Sequence, residues 1–133
     1  MNCLIDSHVL LWLYDDNPAL SSNVRAAITD LRNEVYASTV SFWELSLKHA
    51  LGKLPLRGVE IEDFEGYLHD SGIAVIGLDE QESLSFHRLP TVPGHRDPFD
   101  RMLIWQAIKR NMTLISGDDA FKQYRAFGLR LLW

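Results

Sequence analysis

Asp6, Glu44, Asp100 and Asp118 each stand where an apolar segment reads as a strand giving way to a helix. Asp6 follows Cys3-Leu4-Ile5, Glu44 follows Val35–Val40, Asp100 closes Asp97-Pro98-Phe99-Asp100, and Asp118 follows Thr113–Ser116. A parallel α/β sheet brings all such strand ends to one edge, where ligands bind. Unpaired carboxylates gathered there repel one another, and a divalent cation relieves that repulsion. Oxygen donors of this kind suit Mg²⁺ or Mn²⁺ rather than Zn²⁺. A metal so held activates water for in-line attack on a phosphodiester. The pattern therefore points to a metal-dependent nuclease.

Each acid also has a purely structural reading. Ser41-Phe42-Trp43-Glu44 fits a capping box, with Ser41 as N-cap and Glu44 reaching back. In Asp97-Pro98-Phe99-Asp100 the first aspartate caps, proline takes the first helical position, and Asp100 faces the positive end of the dipole. Asp6 and Asp118 are placed to cap the helices after them. What separates the four from scattered acids such as Asp15, Asp16 and Asp30 is their common kind of junction. Asp97 and Asp100 are three residues apart on one helical face, so both can approach a metal. Asp100, inside the helix, is the expected ligand, and Asp97 the cap or a supporting acid.

Other chemistries fit less well. A metal-free ribonuclease needs a histidine acid–base pair, and none of His8, His49, His69, His87 and His95 repeats at a zinc-ligand spacing. His8 is expected to pack near Asp6, and His95 with Arg96 to contact phosphate or lie in an exposed loop. There is no Gly-rich phosphate loop and no Gly-x-Ser-x-Gly elbow. Trp12, Trp43 and Trp105 have apolar neighbours and are expected in the core. Two rivals remain. A phosphoacceptor-type Mg²⁺-binding module calls for paired early acids and an isolated central aspartate, which Glu44 and the Asp97/Asp100 helix do not match. A catalytically silent module acting through a protein partner leaves four intact acids without a role.

The elements that must position these residues follow from periodicity. Strands are expected at Asn2–Ile5, Val35–Ser38, Ala74–Ile76, Thr113–Ile115 and Leu129–Leu132. Helices are expected through Val9–Leu13, Leu20–Leu31, Phe42–Leu51, Ile61–Leu68, Glu80–His87 and Pro98–Arg110, with Leu89–His95 a loop broken by prolines and glycine. Such alternation predicts a parallel sheet covered on both faces. A chain of 133 residues suits one domain, 1–133. The single cysteine, Cys3, excludes an internal disulfide. With no secretion signal or membrane span evident, a cytoplasmic location is expected. The net charge of −5 is uneven, because residues 58–87 hold eight acids and no Lys or Arg. The remainder is moderately basic, with clusters at Lys48/Lys53/Arg57, Arg88/Arg96/Arg101 and Lys122/Arg125/Arg130, so an RNA partner is permitted though not required.

Four blocks carry a family resemblance: Leu4–Trp12, Ser41–Leu45, His95–Ile104 and Thr113–Asp118. In that order they resemble VapC ribonucleases, the PIN-domain toxins of bacterial toxin–antitoxin pairs. The likeness runs from Asn2 to Trp133, and His95-Arg96-Asp97-Pro98-Phe99-Asp100-Arg101 is its most specific stretch. Ser7 stands where threonine is common, keeping the hydroxyl. The resemblance implies a PIN-like α/β fold with a central parallel sheet of about five strands and helices on both faces. It implies an endoribonuclease using one or two Mg²⁺ or Mn²⁺ ions and leaving a 5′-phosphate and a 3′-hydroxyl. Asp6, Glu44, Asp100 and Asp118 take the four acidic positions, with Asp97 as a further candidate ligand. Asp6 and Asp100 are then expected to hold the principal metal, with Glu44 and Asp118 completing the site. Arg96, Arg101 and Ser116 are candidate RNA contacts. A small antitoxin covering an apolar groove near the first helices, and homodimerisation, are likewise implied.

Overall fold

Cys3, Leu4 and Ile5 are fully buried, and their strand lies at the middle of the sheet. The computed structural model describes residues Met1–Trp133. Five strands, β1 (Asn2–Ile5), β2 (Glu34–Ser38), β3 (Ala74–Ile76), β4 (Thr113–Ile115) and β5 (Arg130–Leu132), pair in the order β3-β2-β1-β4-β5, every pair parallel. From β1 the chain builds outward through β2 and β3, then returns to add β4 and β5 on the other side. The topological switch point therefore lies between β1 and β4, where a crevice opens beyond the strand ends.

The connecting helices are α1 (Ser7–Tyr14), α2 (Ser22–Thr29), α3 (Thr39–Ala50), α4 (Asp63–Asp70), α5 (Glu80–Ser85) and α6 (Pro98–Lys109). Alternating strand residues face opposite layers. Cys3 and Ile5 pack with Val9, Leu10, Val24, Phe64 and Leu68 of α1, α2 and α4. Leu4 and Leu114 pack with Leu103, Ile104 and Ala107 of α6. Helix α3 straddles the two layers, giving Leu45 to the first and Val40 to the second. No helix is long and apolar enough to cross a membrane.

One local expectation is corrected. The cap of α3 is Ser38, whose Oγ accepts from Val40 N at 3.1 Å, so Ser41 and Glu44 form no capping box. Because the helix starts three residues earlier, Glu44 sits in its second turn. The segment Asp119–Phe127, between Asp118 and β5, is a 3₁₀ helix. With three residues per turn, Phe121 and Tyr124 eclipse and both are buried. Gly128 ends it in the left-handed region, at φ 97°.

Candidate metal centre

The register of β1 against β4 begins the site. Ile5 pairs with Ile115, and Asp6 N donates to Ile115 O at 3.1 Å. The next residues, Asp6 and Ser116, thus emerge side by side at the switch point. Asp6 is buried, and its Oδ1 accepts from Val9 N at 2.8 Å, capping α1. Burial pushes its carboxyl above the usual range and the Glu44 charge adds to that, opposed by hydrogen bonds from Ser116 and Val9 and by His8. Ser116 Oγ also accepts from Asp118 N at 3.2 Å, and Asp118 caps the 3₁₀ helix through Ala120 N at 2.9 Å.

Helices α3 and α6 start from the same edge, since each crosses back before the next parallel strand. They pack together, and α3 also packs on α1. Glu44 is buried between these helices. Its Oε1 accepts from Ser7 Oγ at 2.5 Å and its Oε2 from Lys48 Nζ at 2.7 Å. On α6, Asp97 Oδ1 accepts from Phe99 N and Asp100 N, at 2.9 and 3.1 Å, with Pro98 in the first turn. Asp97 is thus the cap, as its spacing predicts, and Asp100 projects from the first turn.

Asp100 is the hub. Donor atoms of Glu44, Asp97 and Asp100 all lie within 4.8 Å of one another, and so do those of His95, Asp100 and Asp118. Burial, then the Asp97 charge, pushes the Asp100 carboxyl up to about 6, with Glu44 adding and His95 opposing. Lys48 is the nearby cation. Burial works against its charge, but the Glu44 hydrogen bond and the Glu44, Asp97 and Asp100 charges hold it above the usual lysine range. One lysine among five carboxylates leaves a surplus of negative charge. A hard divalent cation matches that surplus and the oxygen-rich donor set.

A family profile for the PIN domain matches residues 3–126. The chain belongs to the PIN-domain family. No curated protein sequence matches. Among solved PIN-fold structures, the chain is similar to one in VapBC-1 from nontypeable Haemophilus influenzae, at 18% identity and TM-score 0.66, covering 99% of this chain and 97% of that one. It is similar to a chain of VapBC2 from Rickettsia felis, solved bound to a DNA fragment from their promoter. That match has 17% identity and TM-score 0.65, with 99% and 98% covered. FitAcB from Neisseria gonorrhoeae matches at 18% identity and TM-score 0.66, with 98% and 96% covered.

Within this PIN domain the expected acids converge on one edge, but unequally. Asp100 belongs to both donor groups, whereas Asp6 belongs to neither and uses its Oδ1 to cap α1. The sequence places His95 against phosphate or in an exposed loop. It is instead buried, with Nε2 3.3 Å from Asp100 Oδ2. Gly94, at φ 76°, turns the loop so that His95 points inward, a reversal that only tertiary packing of the loop determines. Arg101 is turned inward too. Its guanidinium donates to Leu89 O, Pro90 O and Tyr124 Oη at 3.0–3.1 Å, which ties it to the loop. Arg96 remains on the surface, lining an opening of about 600 Å³ with Thr91–His95 and Arg101. On the far flank Asp6, His8, Trp12, Gly117 and Asp118 line a smaller opening of about 250 Å³.

Proposed function

We propose that this PIN domain is the toxin of a toxin–antitoxin pair, an endoribonuclease dependent on Mg²⁺ or Mn²⁺. The observation that carries the reading is Asp100, whose carboxyl lies within 4.8 Å of donor atoms of Glu44 and Asp97 on one side and of Asp118 on the other, at the sheet's switch point. Glu44, Asp100 and Asp118 would hold the cation, with Asp97 beside them and Asp6 completing the acidic edge. When bound, the cation supplies a Lewis acid that activates water and stabilises charge on the leaving oxygen. The chain's own residues prepare for this. Ser7 orients Glu44, Lys48 offsets part of the negative charge, and Asp97 fixes the start of α6.

Single-stranded or looped RNA is the substrate this reading favours, because its phosphates can reach an acid site set between two openings. Arg96 is the side chain placed to meet a phosphate along that path. The products carry a 5′-phosphate and a 3′-hydroxyl. The antitoxin's place is the apolar groove of about 610 Å³ between α3 and α4, lined by Phe42, Trp43, Leu45, Ile61 and Phe64. Trp43, expected in the core, is 66% exposed there, whereas Val9 and Leu10 of α1 are buried. Homodimerisation and a cytoplasmic location belong to the same reading.

Purified protein incubated with total RNA and Mg²⁺ or Mn²⁺ is expected to produce discrete 5′-phosphorylated ends, and chelator to abolish them. Asp100→Asn is expected to lower the rate by on the order of a thousandfold, several kcal/mol of lost transition-state stabilisation. Cleavage that persists in chelator would overturn the reading.

A further inference from the structure

His95 lies at the centre of a buried chain of hydrogen bonds that the cleavage reaction does not itself require. Arg101 Nη1 is 3.0 Å from Tyr124 Oη, Tyr124 Oη is 2.7 Å from His95 Nδ1, and His95 Nε2 is 3.3 Å from Asp100 Oδ2. Tyr124 is fully buried, His95 nearly so, and Phe121 packs against the imidazole edge at 5.5 Å between ring centroids. The direction of every bond follows from chemistry. A guanidinium only donates, so Tyr124 Oη accepts from Arg101. The phenol's one proton must then go to another acceptor, and its hydrogen-bonded neighbour is His95 Nδ1. A proton on Nδ1 would leave the buried Tyr124 hydroxyl hydrogen with nowhere to go, a loss that buried polar groups rarely sustain. The imidazole proton therefore sits on Nε2 and points at Asp100.

We infer that His95 is a positioning residue. Arg101 and Tyr124 lock it as the Nε2–H tautomer, and in that form it holds Oδ2 of Asp100 by donating to it. Oδ2 is thereby engaged, and Oδ1 of Asp100 accepts no hydrogen bond in the structure and is left for a cation. The inference makes His95 an orienting donor and not a metal ligand, although its nitrogen lies within ligand range of Asp100 and Asp118. A nitrogen that carries the proton has no lone pair to give. The same logic governs metal sites in which an outer hydrogen bond fixes the tautomer and orientation of a ligand, here with the partners reversed. It also gives Arg101 a role at the centre. The inference rests on the metal-centre reading above for its consequence, but the tautomer stands independently of it.

Two measurements test it on the full chain. In ¹⁵N-histidine-labelled protein without metal, long-range ¹H–¹⁵N correlation, with His95 assigned by its loss in His95→Gln, is expected to show Nε2–H alone. Tyr124→Phe is expected to admit the Nδ1–H form. An Nδ1–H signal in the wild type, or no change in Tyr124→Phe, overturns the inference. Mn²⁺ binding is then measured by electron paramagnetic resonance in wild type, His95→Leu and His95→Gln, each checked for native near-UV dichroism. His95→Leu is expected to weaken Mn²⁺ binding by ~10- to 100-fold. His95→Gln, which retains an N–H at the same reach, is expected to stay near wild type. Equal affinity in His95→Leu, or a directly bound ¹⁴N signal that vanishes in His95→Gln, overturns the positioning role alone. A wild type that binds no Mn²⁺ overturns the metal reading as well.

Discussion

Two regions of this molecule bury carboxylates, and they do so to opposite ends. At the start of α5, Glu82 is 3% exposed and accepts from Arg110 Nε and Nη2, each at 2.6 Å, while forming a capping box with Asp79. Burial alone pushes this carboxyl up, but the Arg110 hydrogen bonds, with those from Asp79 and Gln106, outweigh it and hold the group below the usual range. At the sheet edge, Asp6 and Asp100 are pushed above it, because burial and neighbouring acids outweigh the local donors. Residue type and depth are similar in the two places. The difference is whether the chain supplies a guanidinium in bidentate geometry. Where it does, the acid is scaffold. Where acids outnumber cations, the chain has left charge for something outside it to neutralise, which is the mark of a functional site.

Breaking the satisfied cluster gives the largest effect on stability. Glu82→Ala strands a partly buried Arg110 and removes the capping box. The expected loss is about 2–3 kcal/mol in urea unfolding, below the value for a fully buried pair because Arg110 is part exposed. Mn²⁺ affinity should not change. Breaking the unsatisfied cluster should do the reverse. With Asp100 near 6 when folded and 3.8 when unfolded, the folded state binds more protons between those values, so stability falls as pH rises through that window. In chelator at pH 7, Asp100→Asn should therefore be more stable than wild type by on the order of 2 kcal/mol, with the difference gone below about pH 4. Saturating Mn²⁺ should stabilise the wild type and leave the variant unmoved.

Smaller changes sharpen the contrast. Ser7→Ala removes the donor to Glu44 Oε1 and is expected to lower RNA cleavage about tenfold, near the lower end for a hydrogen bond to a charged group. Ser7→Thr, which keeps the hydroxyl, should restore most of the rate. Lys48→Met makes the edge more acid-rich still. It should tighten Mn²⁺ binding by roughly twofold, the modest effect expected of a part-exposed pair one helical turn apart.

The strands and their order of alternation were legible because each is a short, almost wholly apolar run bounded by turn residues, as Cys3-Leu4-Ile5 and Thr113-Leu114-Ile115 illustrate. The α6 start at Asp97-Pro98 was legible because capping is local chemistry. The start of α3 is not fixed by the sequence, because Ser38 and Ser41 are both competent caps and only the end of β2 decides between them. The exposure of Trp43 is hidden from the sequence for a related reason. An apolar sequence neighbourhood does not tell which side of a helix meets the core, and this tryptophan stands at the α3–α4 groove, edge-on to Phe99.

By its own residues the sequence determined that four acids would follow strands and helix starts, and that a parallel sheet would carry them to one edge. These depend on composition and on contacts close along the chain. Only the tertiary structure decided which acid is central. Asp100 becomes the hub because α6 packs on α3, which carries Glu44, while the turn at Gly94 and the 3₁₀ helix bring His95 and Asp118 to its other side. Such distances join residues far apart in the chain, and packing sets them. The inward reach of His95 and Arg101 has the same origin, since Tyr124, the buried phenol they share, lies in a segment whose periodicity gave no sign of it.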